Sequence, residues 1–208
     1  MENRTEQLKK IKDEIVAAKN SPLYDFRVKN NFLPVIGEGD HYAKIMFIGE
    51  APGKNEALTG RPFCGAAGRI LDELLQSINI DRKDVYVTNI VKDRPPFNRD
   101  PLPEEIEFYA PFLIRQIEII KPEVIATLGR FSMNYIMKKF GLESELKSIS
   151  VIHGKVFVAP VMNKGDKIQQ NSISAPGRII PLYHPAVAIY NNSTKETLKK
   201  DFEILKSF

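Results

Sequence analysis

Apolar residues recur along this chain in two alternating patterns, and each predicts a different kind of element. Short apolar runs of strand length predict strands, and they are KIMFI at 44–48, VYVTNIV at 85–91, EVIATL at 123–128 and RIIPLY at 178–183. Helical spacing predicts helices, and these cover 3–19, 66–78, about 103–120 and 130–140. We also expect a strand within 150–160 and a closing helix that starts near Pro185. Strands that alternate with helices predict an α/β fold, with a parallel sheet covered on both faces.

The length of 208 residues suits a single domain over 1–208. The N-terminal helix is predicted over 3–19, and the polar, turn-rich stretch at 161–177 is predicted to be a loop insertion. No apolar run approaches the roughly 18 residues needed to span a bilayer. The N-terminus is a charged helix pattern without the apolar centre of a signal peptide, so we expect a cytoplasmic protein with no membrane partner.

Composition narrows the class of protein further. Apolar residues make up 43% of the chain, which supports a packed core and excludes global disorder. The net charge of +4 permits an acidic partner such as nucleic acid but does not establish one. The one cysteine, Cys64, can neither form an internal disulfide nor supply a cysteine-rich metal site.

Candidate functional residues lie at the ends of three of the predicted strands. Gly49 and Glu50 end the first, Asn89 ends the second, and His184 follows the last. Ligands of open α/β sheets bind beyond the carboxyl ends of the strands, so we expect these residues to share one site. His184, between a strand and a proline-initiated helix, gains weight as a functional residue from that position, although most lone histidines are structural.

Two glycine-rich segments flank this expected site. GEAPGKNE at 49–56 forms either a tight loop that exposes backbone N–H groups or an ordinary turn, and its spacing is not that of a P-loop. In GRPFCGAAG at 60–68, three glycines surround Phe63 and indicate a close backbone approach. Phe63 is either a stacking platform or a core residue that anchors the helix start.

The segment TNIVKDRPPFNRDPLPEE at 88–105 carries an amide and a group of cations. The Asn89 amide can both donate and accept, so it either reads the edge of a flat heterocycle or caps a turn. Lys92, Arg94 and Arg99 lie among prolines in a basic loop that either contacts phosphates or is simply solvated.

Five motifs in this order resemble the uracil-DNA glycosylase superfamily, and its family 4 most closely. They are GEAPGKNE, TGRPFCGAAGRILDELL, TNIVKDRPPFNRDPLPEE, IKPEVIATLGR and LYHPA, and they span roughly residues 37–190. The resemblance implies a three-layer α/β/α sandwich around a four-stranded parallel sheet. It also implies a monofunctional enzyme that hydrolyses the N-glycosidic bond of deoxyuridine in DNA, releasing uracil in base-excision repair. We expect a monomer whose partner is uracil-containing DNA.

The resemblance also implies a role for each matching residue. The loop with Gly49 and Ala51 would hold uracil through backbone N–H groups, Phe63 would stack on the flipped base, and Asn89 would bond its edge. Glu50 would position water or stabilise the sugar cation, Glu56 would be a second functional acid, and His184 would donate to uracil O2. Ala51 stands where family 1 enzymes have Asp, which leaves water activation to Glu50 or to the substrate. The predicted contacts to the DNA backbone are Lys92, Arg94, Arg99 and Arg130, with Ile189 or Val187 as the wedge.

One departure from the family concerns iron. Family 4 enzymes usually bind a [4Fe–4S] cluster through four cysteines, and the positions that match those ligands hold Ala18, Ser21, Asp93 and Tyr109. Four such replacements do not suit this cluster, so we expect no cluster. Ser21 and Asp93 could bind other metals, but we assign no metal site. We predict instead that Tyr109, Phe108 and Phe112 pack in its place, and that Cys64 is a small apolar packing residue.

Three alternatives remain open from the sequence. The chain could be a glycosylase for another deaminated or damaged base, although Asn89 favours uracil. It could be a non-catalytic DNA-binding module with the same fold, for which only the missing cluster ligands speak. A nucleotide-binding α/β protein is disfavoured because the chain has no P-loop or Rossmann glycine pattern.

Overall fold

The computed structural model describes residues 3–160, 177–189 and 191–208. The helices of this part are α1 Arg4–Ala17, α2 Tyr24–Lys29, α3 Lys54–Thr59, α4 Ala66–Ser77, α5 Pro103–Ile120, α6 Arg130–Lys139, α7 Ile149–Ile152 and α8 Asn192–Glu203. The strands are β1 Glu38–Gly39, β2 Ile45–Gly49, β3 Tyr86–Asn89, β4 Val124–Leu128, β5 Phe157–Val158 and β6 Arg178–Leu182. Short 3-10 turns lie at 82–84, 96–98, 143–145, 185–188 and 204–207.

The strands form one sheet of order β1-β3-β2-β4-β6-β5. The four central strands β3, β2, β4 and β6 are parallel, and the two-residue strands β1 and β5 add antiparallel edges. This confirms the predicted parallel four-stranded centre and extends it by one short strand on each side. All four central strands end at the same edge, where Gly49 pairs in register with Asn89.

Side chains from alternate strand positions enter two separate cores. Met46 and Ile48 of β2 face a core with α1, α5 and α6, whereas Ile45 and Phe47 face a core with α4 and α8. Strand residues buried on both faces explain the continuous apolar runs of the sequence, because no side of the sheet meets water. The three-layer α/β/α prediction is thereby confirmed.

Some elements differ from the sequence predictions. The segment 150–160 is not one strand, because α7 ends at Ile152 and only Phe157–Val158 pair with β6. Pro185 opens a 3-10 turn, and the closing helix α8 begins later, at Asn192. The short helices α2 and α3 were not predicted, since six residues are too few for a clear apolar period. The loop predicted at 161–177 lies outside the described residues except for Gly177. No helix in the described ranges is both long and apolar enough to cross a membrane.

Candidate active site

Gly49 and Asn89 form the floor of a site at the carboxyl edge of the sheet. A Cβ built on Gly49 would lie 2.3 Å from Asn89 Oδ1 and 2.7 Å from Cζ of Phe63. No real side chain tolerates such contacts, so only glycine lets the Asn89 amide and the Phe63 ring approach this strand end. Asn89 is 2% exposed, so the protein encloses most of its side chain. Gly49, Phe63 and Asn89, predicted separately from three motifs, therefore lie together.

Phe63 is held in an uncommon backbone conformation. Its φ is +47°, a region that bulky residues rarely adopt and that costs conformational energy. Two contacts fix it: Gly68 lies so close that a Cβ there would be 1.7 Å from the Phe63 carbonyl oxygen, and Glu56 clamps the next residues. Glu56 Oε1 accepts hydrogen bonds from the N–H groups of Cys64 and Gly65, each at 3.1 Å. The carboxylate of Glu56 thus orders the loop that carries Phe63.

His184 lies beside Phe63, with ring centroids 5.6 Å apart and the ring planes tilted by 32°. Its Nδ1 accepts a hydrogen bond from the N–H of Ala186 at 3.2 Å, so in a neutral ring the proton is on Nε2. Burial lowers the pKa of His184, and the charge of Glu56 opposes this shift only in part. The site therefore presents a neutral N–H donor next to an aromatic ring.

Glu50 follows β2 directly and is half-buried. Its main-chain carbonyl accepts from the N–H of Val91 at 3.0 Å, which ties it to the loop after β3. Burial raises the pKa of Glu50 to about 7; Asp100 raises it further, and Arg130 lowers it. A carboxyl group whose pKa lies near neutrality is a common feature of active sites. The neighbouring Ala51, also half-buried, packs against the first core.

The position of Lys92 contradicts one of the sequence predictions. We predicted a contact with the DNA backbone, but its side chain is 0% exposed and cannot reach a phosphate. Instead, its Nζ is enclosed by oxygen atoms of Thr88, Asn89 and Gln116. The sequence signal was misleading because lysines are almost always exposed.

The other predicted DNA-contacting residues lie at the rim. Arg130, 66% exposed, starts α6 and pairs with Asp100 at 3.2 Å. Arg94 is half-buried and donates through Nε to Asn98 Oδ1, while both Nη atoms of Arg99 bond the buried carboxylate of Glu105. Ile189 is half-buried after the 185–188 turn, and Val187 in that turn is 43% exposed. Arg99 is thus committed to the start of α5, whereas Arg130 keeps a free surface.

Phe97 is a residue that the sequence analysis missed. Its side chain is 93% exposed and its φ is +57°, within the loop that carries Arg94 and Asp100. An aromatic ring held in water on a strained backbone is a costly arrangement that often marks a binding surface. An aromatic residue directly after two prolines was the signal that could have revealed it.

The neighbouring residues Phe63 and Cys64 had separate predictions, and the structure bears on both. The prediction for Cys64 as a purely apolar packing residue is wrong, because it is half-buried and its Sγ lies 3.3 Å from the Thr59 hydroxyl. Phe63 is 7% exposed and belongs to the second core, yet its ring also borders the site. The two alternatives for Phe63, core anchor and platform, are therefore compatible.

The positions that match the cluster ligands form a hydrogen-bonded network. The Tyr109 hydroxyl donates to Asp93 Oδ2 at 2.6 Å, so the Ser21 hydroxyl, 2.5 Å away, donates to Tyr109. Arg27 adds a bond to Asp93 Oδ2 at 3.1 Å, and all four side chains are at most 7% exposed. Burial raises the pKa of the Tyr109 phenol, which keeps it a donor.

These residues do not fit a [4Fe–4S] cluster. The cluster needs four thiolates, whereas the four positions offer a methyl group, a hydroxyl, a carboxylate and a phenol. Three of the side chains are also spent on one another, at distances that leave no room between them. Phe108 packs edge-on against Tyr109 with a centroid distance of 5.0 Å, and Phe112 lies 6.0 Å from Phe108. In the described ranges, no three His, Cys, Asp or Glu side chains group as a metal site.

Known proteins match nearly the whole chain. The family model described as "Uracil DNA glycosylase superfamily" matches residues 36–206. The chain is 43% identical to a type-4 uracil-DNA glycosylase of Sulfurisphaera tokodaii, over 97% of this chain and 84% of the relative. It is 42% identical to the type-4 enzyme of Archaeoglobus fulgidus, over 95% and 91%, and 36% identical to that of Thermotoga maritima, over 100% and 97%. With this coverage and the geometry above, the chain belongs to the uracil-DNA glycosylase superfamily.

Proposed function

We propose that this protein hydrolyses the bond between uracil and deoxyribose in DNA and leaves an abasic site. The observation that carries the proposal is the convergence of Gly49, Phe63, Asn89 and His184, with a neutral N–H donor beside an aromatic ring. The type-4 relatives support uracil as the base and place the reaction in DNA repair.

The first step is recognition of a base that has left the duplex. A base inside the stack cannot reach a buried strand end, so the nucleotide must flip out. The Phe63 ring offers a stacking face, and the buried Asn89 amide selects the edge of uracil. Cytosine has an amino donor where uracil has O4, so it would leave polar groups mispaired. Backbone N–H groups near Gly49 and Ala51 complete the pocket in this proposal.

The second step is heterolysis of the glycosidic bond. It produces an oxocarbenium-like sugar and a uracil anion, so the site needs a negative group near the sugar and a donor near the base. We assign the donor to Nε2–H of His184 and the negative group to ionised Glu50, which also receives a proton as water adds to C1′. Glu56 acts by positioning Phe63 rather than by touching the substrate.

The DNA backbone is proposed to lie along the rim of the site. Arg130 and Arg94 supply positive charge there, while Arg99 contributes by fixing the loop to Glu105. Phe97 is the most exposed apolar side chain near this rim, and we add it to Ile189 as a group that stacks on or separates bases. The surface combines cations with an aromatic residue, as is typical of nucleic-acid interfaces.

We further infer that the protein holds no [4Fe–4S] cluster. The donor set and the Ser21–Tyr109–Asp93 hydrogen bonds support this inference. Iron and sulfide analysis, before and after anaerobic reconstitution, tests it. Stoichiometric uptake of four irons with visible absorbance would contradict it.

Alkaline cleavage of a uracil-containing oligonucleotide tests the activity itself. The wild-type protein should cut the strand at uracil after alkali, and an Asn89→Ala, His184→Ala double variant should not. Activity that persists in the double variant would reveal a contaminating enzyme. No cleavage by the wild type over a range of salt and temperature would favour the non-catalytic DNA-binding alternative.

The same purified protein can also be used to test the range of bases and the oligomeric state. A panel of uracil, hypoxanthine, xanthine and damaged pyrimidines decides the base, and a faster rate on hypoxanthine would overturn uracil. We also propose that the protein acts as a monomer, because one chain supplies every residue of the candidate site. The DNA it acts on is proposed to be cytoplasmic. Light scattering at assay concentration measures the mass and would contradict the monomer if it gave twice 23.6 kDa.

A further inference from the structure

Lys92 places an amine in the interior directly behind the base-reading residue. Its Nζ lies 2.6 Å from Gln116 Oε1, 2.7 Å from the main-chain oxygen of Asn89 and 2.8 Å from Thr88 Oγ1. The side chain has no exposed surface. The amine therefore has only protein partners, and their donor and acceptor roles decide its charge.

A fourth oxygen, the Ile36 carbonyl, lies farther from Nζ at 3.5 Å. All three short-range oxygens must accept. The Thr88 hydroxyl donates its own hydrogen bond to the carbonyl oxygen of Ile36 at 2.6 Å. The Gln116 amide is oriented by its Nε2, which donates to the same Ile36 carbonyl at 2.9 Å. The Asn89 oxygen is a carbonyl. Three acceptors require three N–H bonds, and only the ammonium form of lysine has three.

Burial opposes this charge and lowers the pKa of Lys92. A neutral amine, however, would direct its lone pair at one of three short-range oxygens and leave that acceptor unsatisfied in the core. Across residues 3–160, 177–189 and 191–208, no carboxylate is among the hydrogen-bond partners of Nζ. The geometry thus holds a positive charge that no ion pair compensates.

We propose that the Lys92 ammonium is a positioning and charge-bearing group for the reaction. It fixes the backbone of Asn89, and its charge lends positive potential to the pocket where the departing base becomes an anion. The inference rests on the proposed function, because it assigns the charge to uracil departure. It needs no contact between Lys92 and the substrate, since the charge acts through the Asn89 peptide group and the strand.

Leaving-group dependence separates this role from simple structural support. Fluorine at C5 makes the departing pyrimidine anion more stable, so 5-fluorouracil needs less help from the protein than uracil. In single-turnover assays, Lys92→Met should slow excision of uracil by about 10- to 30-fold, the effect of one charge acting through several ångströms of protein. The loss on 5-fluorouracil should be clearly smaller. An equal loss on both bases, or no loss on uracil, would overturn the proposal.

Tyr86→Phe is the matched control. It removes the buried hydroxyl that lies 3.2 Å from Gln116 Nε2 and so disturbs the same contacts, but every oxygen that accepts from Nζ stays in place. We expect it to lower stability and leave the ratio of the two excision rates as in the wild type. A changed ratio in Tyr86→Phe would show that packing, not charge, sets the leaving-group dependence.

A measurement on the wild-type protein covers the case in which Lys92→Met does not fold. Nitrogen NMR of the lysine side chains counts the protons on each Nζ, and the buried Lys92 should show a slowly exchanging –NH₃⁺ at neutral pH. A neutral –NH₂ signal would refute the charge directly. Failure of the wild type to excise either base would instead refute the proposed function and leave this signal unchanged.

Discussion

Arg130 and Asp100 form an ion pair of 3.2 Å at the mouth of the site, and their charges shift the pKa of Glu50 in opposite directions. Burial already raises that pKa to about 7, Asp100 raises it further, and Arg130 lowers it. The ion pair joins the loop after β3 to the start of α6. Loop and helix together therefore control the ionisation of one carboxyl group.

The first prediction concerns the pH dependence of excision. Because Glu50 must be ionised in the proposed mechanism, single-turnover rates should rise with pH through about 7. Asp100→Asn removes a repulsive negative charge, lowers the pKa of Glu50 and should move the acid limb to lower pH. Arg130→Gln removes the attractive positive charge and should move it to higher pH.

The direction of the two shifts is the decisive readout, since Arg130 is also a proposed DNA contact and its loss lowers affinity as well. Rates are therefore compared at saturating enzyme. A Glu50→Gln variant should lose the limb altogether. Shifts of both variants in the same direction would contradict the assignment of this limb to Glu50.

The second prediction tests the donor role of His184. His184→Ala removes the Nε2–H donor, and loss of one preorganised donor of this kind costs about 100- to 1000-fold in rate. His41→Ala is the matched control, since His41 lies just before β2 at the opposite end of the strand and contacts Thr5. A loss below about tenfold in His184→Ala would contradict the proposed role.

The third prediction concerns the close approach at Gly49. In Gly49→Ala the new Cβ would meet Asn89 Oδ1 and the Phe63 ring, so both must move away from the base. Displacement of recognition groups by about 1 Å costs on the order of 100-fold in rate. Gly177→Ala is the control, because its Cβ would lie 3.3 Å from the Glu123 carbonyl and needs only a small adjustment. Near wild-type activity of Gly49→Ala would contradict the tight floor of the site.

The fourth prediction concerns stability. Tyr109→Phe removes the hydroxyl between Ser21 and Asp93 and leaves both buried groups short of a partner. We expect a loss of about 1–3 kcal/mol in the free energy of unfolding, measured with urea. Tyr42→Phe should change it by less than about 0.5 kcal/mol, because Tyr42 is 62% exposed. Equal effects of the two variants would show that the network contributes nothing.

The fifth prediction concerns Phe97. Phe97→Asn keeps a residue that tolerates the positive φ but removes the aromatic face, so folding should be unchanged. Affinity for single-stranded uracil DNA should fall about tenfold, the lower part of the range for one base–aromatic stack. Val158→Asn is the control, as Val158 is 69% exposed on the β5 edge. Unchanged anisotropy titrations for Phe97→Asn would remove Phe97 from the interface.

The sequence predicted those parts of the fold that depend on apolar periodicity. The buried strands that end at Gly49 and Asn89 are visible as continuous apolar runs, because both faces of a covered parallel sheet are buried. The short helix α2 and the two-residue strands are not visible, since their stability comes from contacts with distant residues. The failure at 150–160 has the same cause: Phe157–Val158 form a strand only because β6 lies next to them.

The sequence predicted which residues form the candidate site, but not which residues contact one another around it. Gly49, Phe63, Asn89 and His184 stand in motifs that a resemblance can match one residue at a time. Lys92 was assigned to the surface because no local pattern shows that Thr88, Asn89 and Gln116 enclose it. Likewise, the bond between Ser21 and Tyr109 joins residues 88 positions apart, and no sequence spacing encodes such a contact.

The hydrogen bonds of Ser21, Tyr109, Asp93 and Arg27 have a consequence for how the protein matures. They connect the N-terminal helices to α5 and the loop after β3 through side chains of the polypeptide itself. Such a link forms as the chain folds, without iron delivery or an assembly step. In the cluster-free protein that we propose, oxidants that dismantle iron–sulfur clusters would have no target there. Uracil excision by this protein should therefore continue under iron starvation and under peroxide stress.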